Sequence, residues 1–246
     1  MTSLFLWWAF LGAMGLATFP VAYVLLSRFP DRGYLFSKVL ALLLVGYISW
    51  ILGHFSFGTP VVALSILLTL LLSGTILWSW VRKPFFDFLK GNFAFFMVLE
   101  CLFFLAFLVA GAYKMRTSGI VGTEKPMDFA FLNGILSSTQ LPPNDPWLAG
   151  GSISYYYFGY FIVACLSKVT GVPGGVAYNL AIALLWALAF SCTFSLVYAL
   201  TRRYRYSLFS AFSLPILGNL DYWHRAVQSW SIGNLRIPYY NETSAG

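Results

Sequence analysis

The residues able to do chemistry in this chain are few. It has eight acids in 246 positions, and three of them, Glu124, Asp128 and Asp145, fall between Lys114 and Gly175. A carboxylate can take a proton from an attacking hydroxyl, or hold a divalent cation that neutralises a phosphate. The first two acids lie in the run GTEKPMDFAFLNG. Pro126 suits the first position of a helix, so the spacing predicts a helix over 126–138. On it, Asp128, Phe131, Leu132 and Ile135 stand at i, i+3, i+4 and i+7, which is one face. Two readings of Asp128 stand. A carboxylate on an apolar face is aimed at a cleft or at the membrane; an acid in a first turn also complements the helix N-terminus. Glu124 is either its partner or a solvated loop acid. Asp145 sits in LPPNDPWLAGG, where three prolines make a rigid extended turn. It serves that turn, or the turn holds it toward a ligand.

The same segment continues into SISYYYFGY. Tyr155, Tyr156 and Tyr157 read either as an aromatic belt at a membrane surface or as a stacking platform for a sugar ring or an isoprenoid chain. Glu100 stands alone in an apolar run; an intramembrane acid is a functional candidate by default, or a protonated group bonded to a neighbouring helix. His54 has no partner at metal-ligand spacing. Cys101, Cys165 and Cys192 lie in apolar runs without CxxC spacing and read as packing residues. The sequon Asn241-Glu242-Thr243 is short enough to arise by chance. There is no phosphate-binding glycine loop, no HExxH and no GxSxG.

The elements that must position these residues are membrane spans. Hydrophobic residues make up 59% of the chain, charged residues only 9%, and mean hydropathy is +0.76. A soluble domain carries about 25% charged residues, so lipid is this chain's solvent. Runs long enough to cross are Leu4–Leu26, Val61–Val81, Phe93–Tyr113 and Val176–Leu200. Val39–Leu52 crosses if its ends reach Lys38 and the stretch His54–Phe57. Ser207–Leu220, with Pro215 and Asn219 inside it, is a weaker sixth. The expected class is therefore an all-α polytopic membrane protein with about six membrane helices. The net charge of +7 sits in short clusters between the runs. That pattern sets orientation in the cell membrane and implies no nucleic-acid partner.

Orientation follows from those clusters. Arg28, Arg32 and Lys38 fall in one loop, and Arg82, Lys83 and Lys90 in another; the loop Gly53–Pro60 between them has neither Lys nor Arg. The basic loops are expected in the cytoplasm and the N-terminus outside. Phe93–Tyr113 then delivers the segment 114–175 to the extracytoplasmic side. Arg202, Arg203 and Arg205 return to the cytoplasm only if Tyr155–Leu166 does not cross. That run is too short for a span and suits an interfacial or re-entrant helix. The long outer segment should carry two short helices near the membrane surface.

GTEKPMDFAFLNGIL, LPPNDPWLAGGSISYYYFGYF and LGNLD together resemble the YYY membrane protein family, largely uncharacterised polytopic proteins of archaea and bacteria. The likeness runs from about Gly122 to Asp221. That family in turn looks like the GT-C class of glycosyltransferases, which take a sugar from a polyprenyl-phosphate carrier. Their first large outer loop follows an outward span, carries acids soon after the membrane, and holds two surface-parallel helices. The resemblance implies a GT-C-like architecture in three parts: a three-span segment over 1–92, a core start over 93–220, and a polar tail over 221–246. It implies Asp128 and Glu124 as catalytic acids, with Asp128 the position for a divalent cation, Mg or Mn. It further implies Asp145, Tyr155, Tyr156, Tyr157 and Lys125 as substrate-binding positions, with Arg116 an alternative to Lys125 for the carrier phosphate. Its partners would be membrane lipid and a polyprenyl-phosphate sugar. Both families usually continue through many more spans, so this chain is expected to be an N-terminal portion, completed by further sequence or a partner chain. The alternative is a non-catalytic scaffold, a lipid-binding module or a transporter component.

Overall fold

The computed structural model describes residues 1–122 and 124–217. Among them are nine α-helices: α1 Thr2–Leu25, α2 Tyr34–Gly53, α3 Thr59–Ile76, α4 Arg82–Gly91, α5 Phe93–Arg116, α6 Lys125–Ser137, α7 Phe158–Thr170, α8 Gly174–Thr201 and α9 Tyr204–Leu217. One π-helical turn, Leu77–Val81, joins α3 to α4. Five helical stretches are long and apolar enough to cross a membrane: α1, α2, Thr59–Gly91, α5 and α8. The chain is thus an all-α polytopic membrane protein. The end of the expected sixth span, the LGNLD motif beyond Leu217, the sequon and the tail over 221–246 lie outside the described residues.

The spans alternate in direction, and side-chain contacts fix which ends meet. At one end Leu4 of α1 lies against Gly111 of α5, and Trp7 donates to Thr170 at the end of α7 at 3.1 Å. At the other, Phe19 packs on Phe85 and Phe96, and Ser195 of α8 donates to Asp31 at 2.9 Å. The described residues of 117–173 therefore join the end of α5 to the start of α8 at a single end of the bundle. Arg28, Arg32, Arg82, Lys83, Lys90, Arg202, Arg203 and Arg205 sit at the opposite end. Tyr155–Leu166 does not cross. The helix there starts later, at Phe158, and leaves the three tyrosines in the approach to it.

α3 shows which solvent the bundle is built for. Ser65, Thr69 and Ser73, spaced at i, i+4 and i+8, are buried, while Leu64, Leu67, Leu68, Leu71 and Leu72 are exposed. In water this arrangement would be inverted. In lipid, small polar residues let helices approach and bond to backbone: Ser73 donates to the Ala17 carbonyl of α1 at 2.6 Å, and Thr69 to Ser65 of its own helix at 2.8 Å.

Two expectations about charge are corrected here. Lys38 is no loop cation: α2 begins at Tyr34, and Lys38 is 1% exposed on its second turn. Nor is Glu100 alone. Its carboxylate meets the Lys38 ammonium at 2.7 Å, accepts from Tyr34 at 3.0 Å and from Trp8 at 3.1 Å. The Lys38 ammonium also lies over the rings of Tyr34 and Phe103. Gly12 and Gly15 of α1 make the space: a Cβ at Gly15 would stand 2.8 Å from Lys38 Cγ, and one at Gly12 would stand 3.5 Å from Glu100 Oε1. A buried charge must be paired and hydrogen-bonded to be tolerated, and this pair is both.

Candidate functional site

The end of the bundle that carries 117–173 has its own apolar core, built from Phe131, Leu132 and Ile135 of α6, Phe161, Ala164 and Cys165 of α7, and Phe57, Leu141, Ile153 and Tyr178. Backbone bonds stitch it to the spans. Phe57 N–H donates to Thr139 at 2.7 Å and Leu141 N–H to Gly53 at 2.9 Å. Gly46 of α2 receives α7 so closely that a Cβ there would stand 2.8 Å from Ile162. Lys168 ties α7 to α6 by donating to the Leu136 carbonyl at 2.9 Å, with its ammonium over the Phe57 ring.

On this base α6 presents its first turn. Pro126 falls in that turn, Glu124 stands at the N-cap position without a side-chain capping bond, and Asp128 follows within the turn. The expected face is present: Phe131, Leu132 and Ile135 are buried, and Asp128 above them is half-buried. Its carboxylate does not merely complement the helix end. Tyr160 of α7 donates to Asp128 Oδ1 at 2.5 Å, and the hydroxyl of Tyr178 on α8 approaches the same group. Burial, then the bond to Asp128 and its charge, push the Tyr160 phenol above its ordinary pKa. Tyr160 therefore keeps its proton and acts as donor.

Beside Asp128 lies an aromatic ledge. The Phe131 ring is faced by Tyr155, with centroids 5.4 Å apart and planes 22° apart. It meets Trp147 edge-on at 5.2 Å and Tyr160 at 6.0 Å. Tyr155 and Tyr156 rings stand 4.1 Å apart. Trp147 is 60% exposed and Tyr156 81%, so much of this aromatic surface is open. The Tyr155 phenol is raised above its ordinary pKa first by the adjacent Tyr156 hydroxyl, with the charges of Glu124 and Asp128 adding. Both acids thus stand near the ledge, Glu124 exposed and Asp128 half-buried.

The remaining candidates separate. Tyr157 accepts from Trp50 of α2 at 3.0 Å and anchors the strip to the bundle. Asp145 accepts from the backbone of Trp147 at 2.8 Å and of Leu148 at 3.3 Å, so its carboxylate serves the turn that holds Trp147 up. It also lines a separate open groove with Asn133, Gly134 and Asn144. Lys125 adjoins Asp128's turn and lies close enough to Lys114 to repel it. Among the described residues no three His, Cys, Asp or Glu side chains converge on a metal position. Mg-type ions bind through one or two carboxylates plus substrate phosphate, and Asp128 with Glu124 fits that limited role.

Two buried polar groups were missed by sequence reasoning. Lys38, the partner of Glu100, is one. Asp31 is the other: 2% exposed, it accepts from Ser195, from Gly33 N–H at 3.1 Å and from Leu35 N–H at 3.4 Å. Its position before the first turn of α2 is the signal, since Asp there caps free amides.

Residues 44–243 match a family described as uncharacterized membrane protein, DUF2298. The chain belongs to that family. No curated protein matches it, and no solved structure matches it. The DUF2298 match opens inside α2, two residues before Gly46. It takes in Trp50, the whole aromatic ledge, Asp128, Tyr160 and Glu100, and leaves α1, Asp31 and Lys38 upstream.

Proposed function

We propose that this DUF2298 chain is part of a GT-C-type glycosyltransferase that takes a sugar from a polyprenyl-phosphate carrier on the extracytoplasmic face of the cell membrane. One observation carries the reading: a half-buried carboxylate, Asp128, bonded by Tyr160 at 2.5 Å, beside an exposed ledge of Trp147, Tyr155 and Tyr156. Sugar rings stack on aromatic faces, and the transfer needs a carboxylate beside them. The gathering of eight arginines and lysines at the opposite end supports the orientation, because cytoplasmic ends carry such an excess.

In this reading the Asp128 carboxylate accepts the proton of the acceptor hydroxyl as that oxygen attacks the anomeric carbon. Tyr160, donating to Oδ1, fixes the carboxylate's rotamer. Lys125 faces the leaving phosphate. Where a divalent cation takes part, Asp128 and Glu124 are the residues to hold it, and it would neutralise that phosphate.

The test is transfer of sugar from lipid carrier to acceptor in membranes containing the chain and whatever completes it. Asp128→Asn keeps size and removes the charge; it should abolish transfer and leave expression and thermal stability intact. Tyr160→Phe should lower kcat by about tenfold to a hundredfold, the scale of one lost hydrogen bond to a charged group. Unchanged transfer by the Asn variant refutes the role of Asp128. Lipid binding without transfer by any complete assembly identifies a non-catalytic lipid-binding module instead.

A further inference from the structure

Beyond the transfer reading, we propose that a second cleft at the same end, between the starts of α1 and α8 and the end of α5, binds the phosphate of a membrane lipid. The cleft encloses about 430 Å3. Its cation is Lys114, which lines it and is 9% exposed. Among the described residues Lys114 pairs with no carboxylate, and its one hydrogen bond goes to the Thr117 carbonyl at 3.3 Å. An ammonium has three donors, so two remain for a ligand. A cation held there with no counter-ion among the described residues is costly, and an anion in this cleft lowers the cost.

A second group points the same way. Asn179 donates its amide to Ser118 at 3.2 Å and to Gly175 at 3.1 Å, which leaves its Oδ1 buried and, among the described residues, without a partner. That oxygen is an acceptor, so the partner it would take is a headgroup or singly protonated phosphate hydroxyl. The opening turn of α8 forms the same wall. The amides of Val176 and Ala177 already donate to the Pro173 carbonyl, so an anion would meet those of Gly174 and Gly175 at the positive end of the helix.

The rest of the lining selects a lipid over a free ion. Leu4, Met115, Val176 and Leu180 are apolar, and Met115 and Val176 are more than two-fifths exposed on helices that face lipid. The lining thus combines one ammonium with apolar side chains, as a lipid with a charged head and a hydrocarbon tail requires. The cleft is tied to Asp128 through consecutive residues of α8: Tyr178 turns toward Asp128, and Asn179 lines the cleft.

The test uses the full chain in phosphatidylcholine nanodiscs. The probe is dodecyl phosphate carrying a photoactivatable diazirine; the uncharged dodecanol analogue and inorganic phosphate are the comparison arms. Dodecyl phosphate should label peptides spanning 111–120 and 174–180. Lys114→Gln should weaken its binding by about tenfold or more, the scale of lost hydrogen bonds to a charged group, and Lys114→Arg should retain it. Absence of labelling in these two peptides of the wild-type chain overturns the proposal and needs no variant. Equal labelling by dodecanol, or unchanged binding by a folded Lys114→Gln chain, also overturns it. Inorganic phosphate competing as strongly as the lipid would make this a free-anion site and refute the lipid assignment. Asp128→Asn should still label 111–120 and 174–180, so the transfer reading and this one fail separately.

Discussion

The Lys38 ammonium and the Glu100 carboxylate meet at 2.7 Å inside the bundle, 1% and 14% exposed, although they lie on different spans. Removing one partner strands the other in a low-dielectric interior, which costs about 3–5 kcal/mol, whereas replacing both with apolar residues of like volume is close to neutral or stabilising. Glu100→Gln and Lys38→Met alone should each lower the thermal midpoint in detergent sharply. The double variant Lys38→Met with Glu100→Leu should recover most of the loss. A double variant no better than the worse single one would show that the pair has more than mutual neutralisation to do.

The seat of α7 on Gly46 makes a second prediction. A leucine there collides with Ile162, and overpacking of this kind costs about 1–3 kcal/mol. The reporter is Cys165, 3% exposed, whose thiol burial pushes up to about 12. In a Cys101→Ser, Cys192→Ser background, maleimide should leave wild-type Cys165 almost untouched and modify it at least tenfold faster in Gly46→Leu. Equal rates would show that α7 does not depend on this contact.

Asp31 predicts a pH effect with a definite sign. Its carboxyl is raised above 3.8 chiefly by burial, against the opposing bonds from Ser195, Gly33 and Leu35. The folded chain therefore holds this proton more tightly than the unfolded chain. Asp31's contribution is most favourable below the unfolded value and falls as pH rises through the raised folded one. The difference in thermal midpoint between wild type and Asp31→Asn should shift against the wild type as pH rises from 3.8 toward neutrality. A pH-independent difference would remove the titration of Asp31 from the account.

The orientation is checked by labelling two new cysteines with a membrane-impermeant maleimide on intact cells. Ser167 is unsuitable, being buried with its hydroxyl donating to Val172 at 2.6 Å; Ala149, exposed in the segment that carries the ledge, serves better. Ala149→Cys should react from outside, and Arg203→Cys only after permeabilisation. The reverse pattern would turn the molecule over and place the ledge in the cytoplasm.

Span order, the short non-crossing helix and the face of α6 were legible because each depends on local composition and period. Pro126, Asp128, Phe131 and Ile135 lie within three turns, and their spacing alone sets the face. Lys38 and Glu100 were misread because hydropathy counts a charge without knowing its partner, which is 62 residues away. The tyrosine triplet was legible only as aromatic. Its three members meet Phe131, open surface and Trp50 in turn, and that division depends on where α2 and α6 lie. Asp145 was resolved toward the turn by its own backbone neighbours. Tyr160, which holds Asp128, had no distinguishing signal in a segment already rich in tyrosine.

The π-helical turn at Leu77–Val81 acts as a depth gauge. The 18 residues of α3 rise about 27 Å, close to the roughly 30 Å hydrocarbon thickness of a bilayer. The turn follows at once, with Trp78 and Trp80 70% and 73% exposed, Arg82 over the Trp78 ring, and Val81 at φ −133° and ψ 9°, outside helical values. Tryptophan and arginine settle at the boundary between hydrocarbon and headgroups, and a π turn is where a helix axis changes course. Beyond it, Phe85 folds onto Phe19 and Tyr23 of α1, which holds the basic helix α4 to the bundle. A thicker bilayer would draw Trp78 and Arg82 into hydrocarbon, and a thinner one would expose the leucines of α3. With Trp78 and Arg82 held at that boundary, the length of α3 sets how far the aromatic ledge at its other end stands from it.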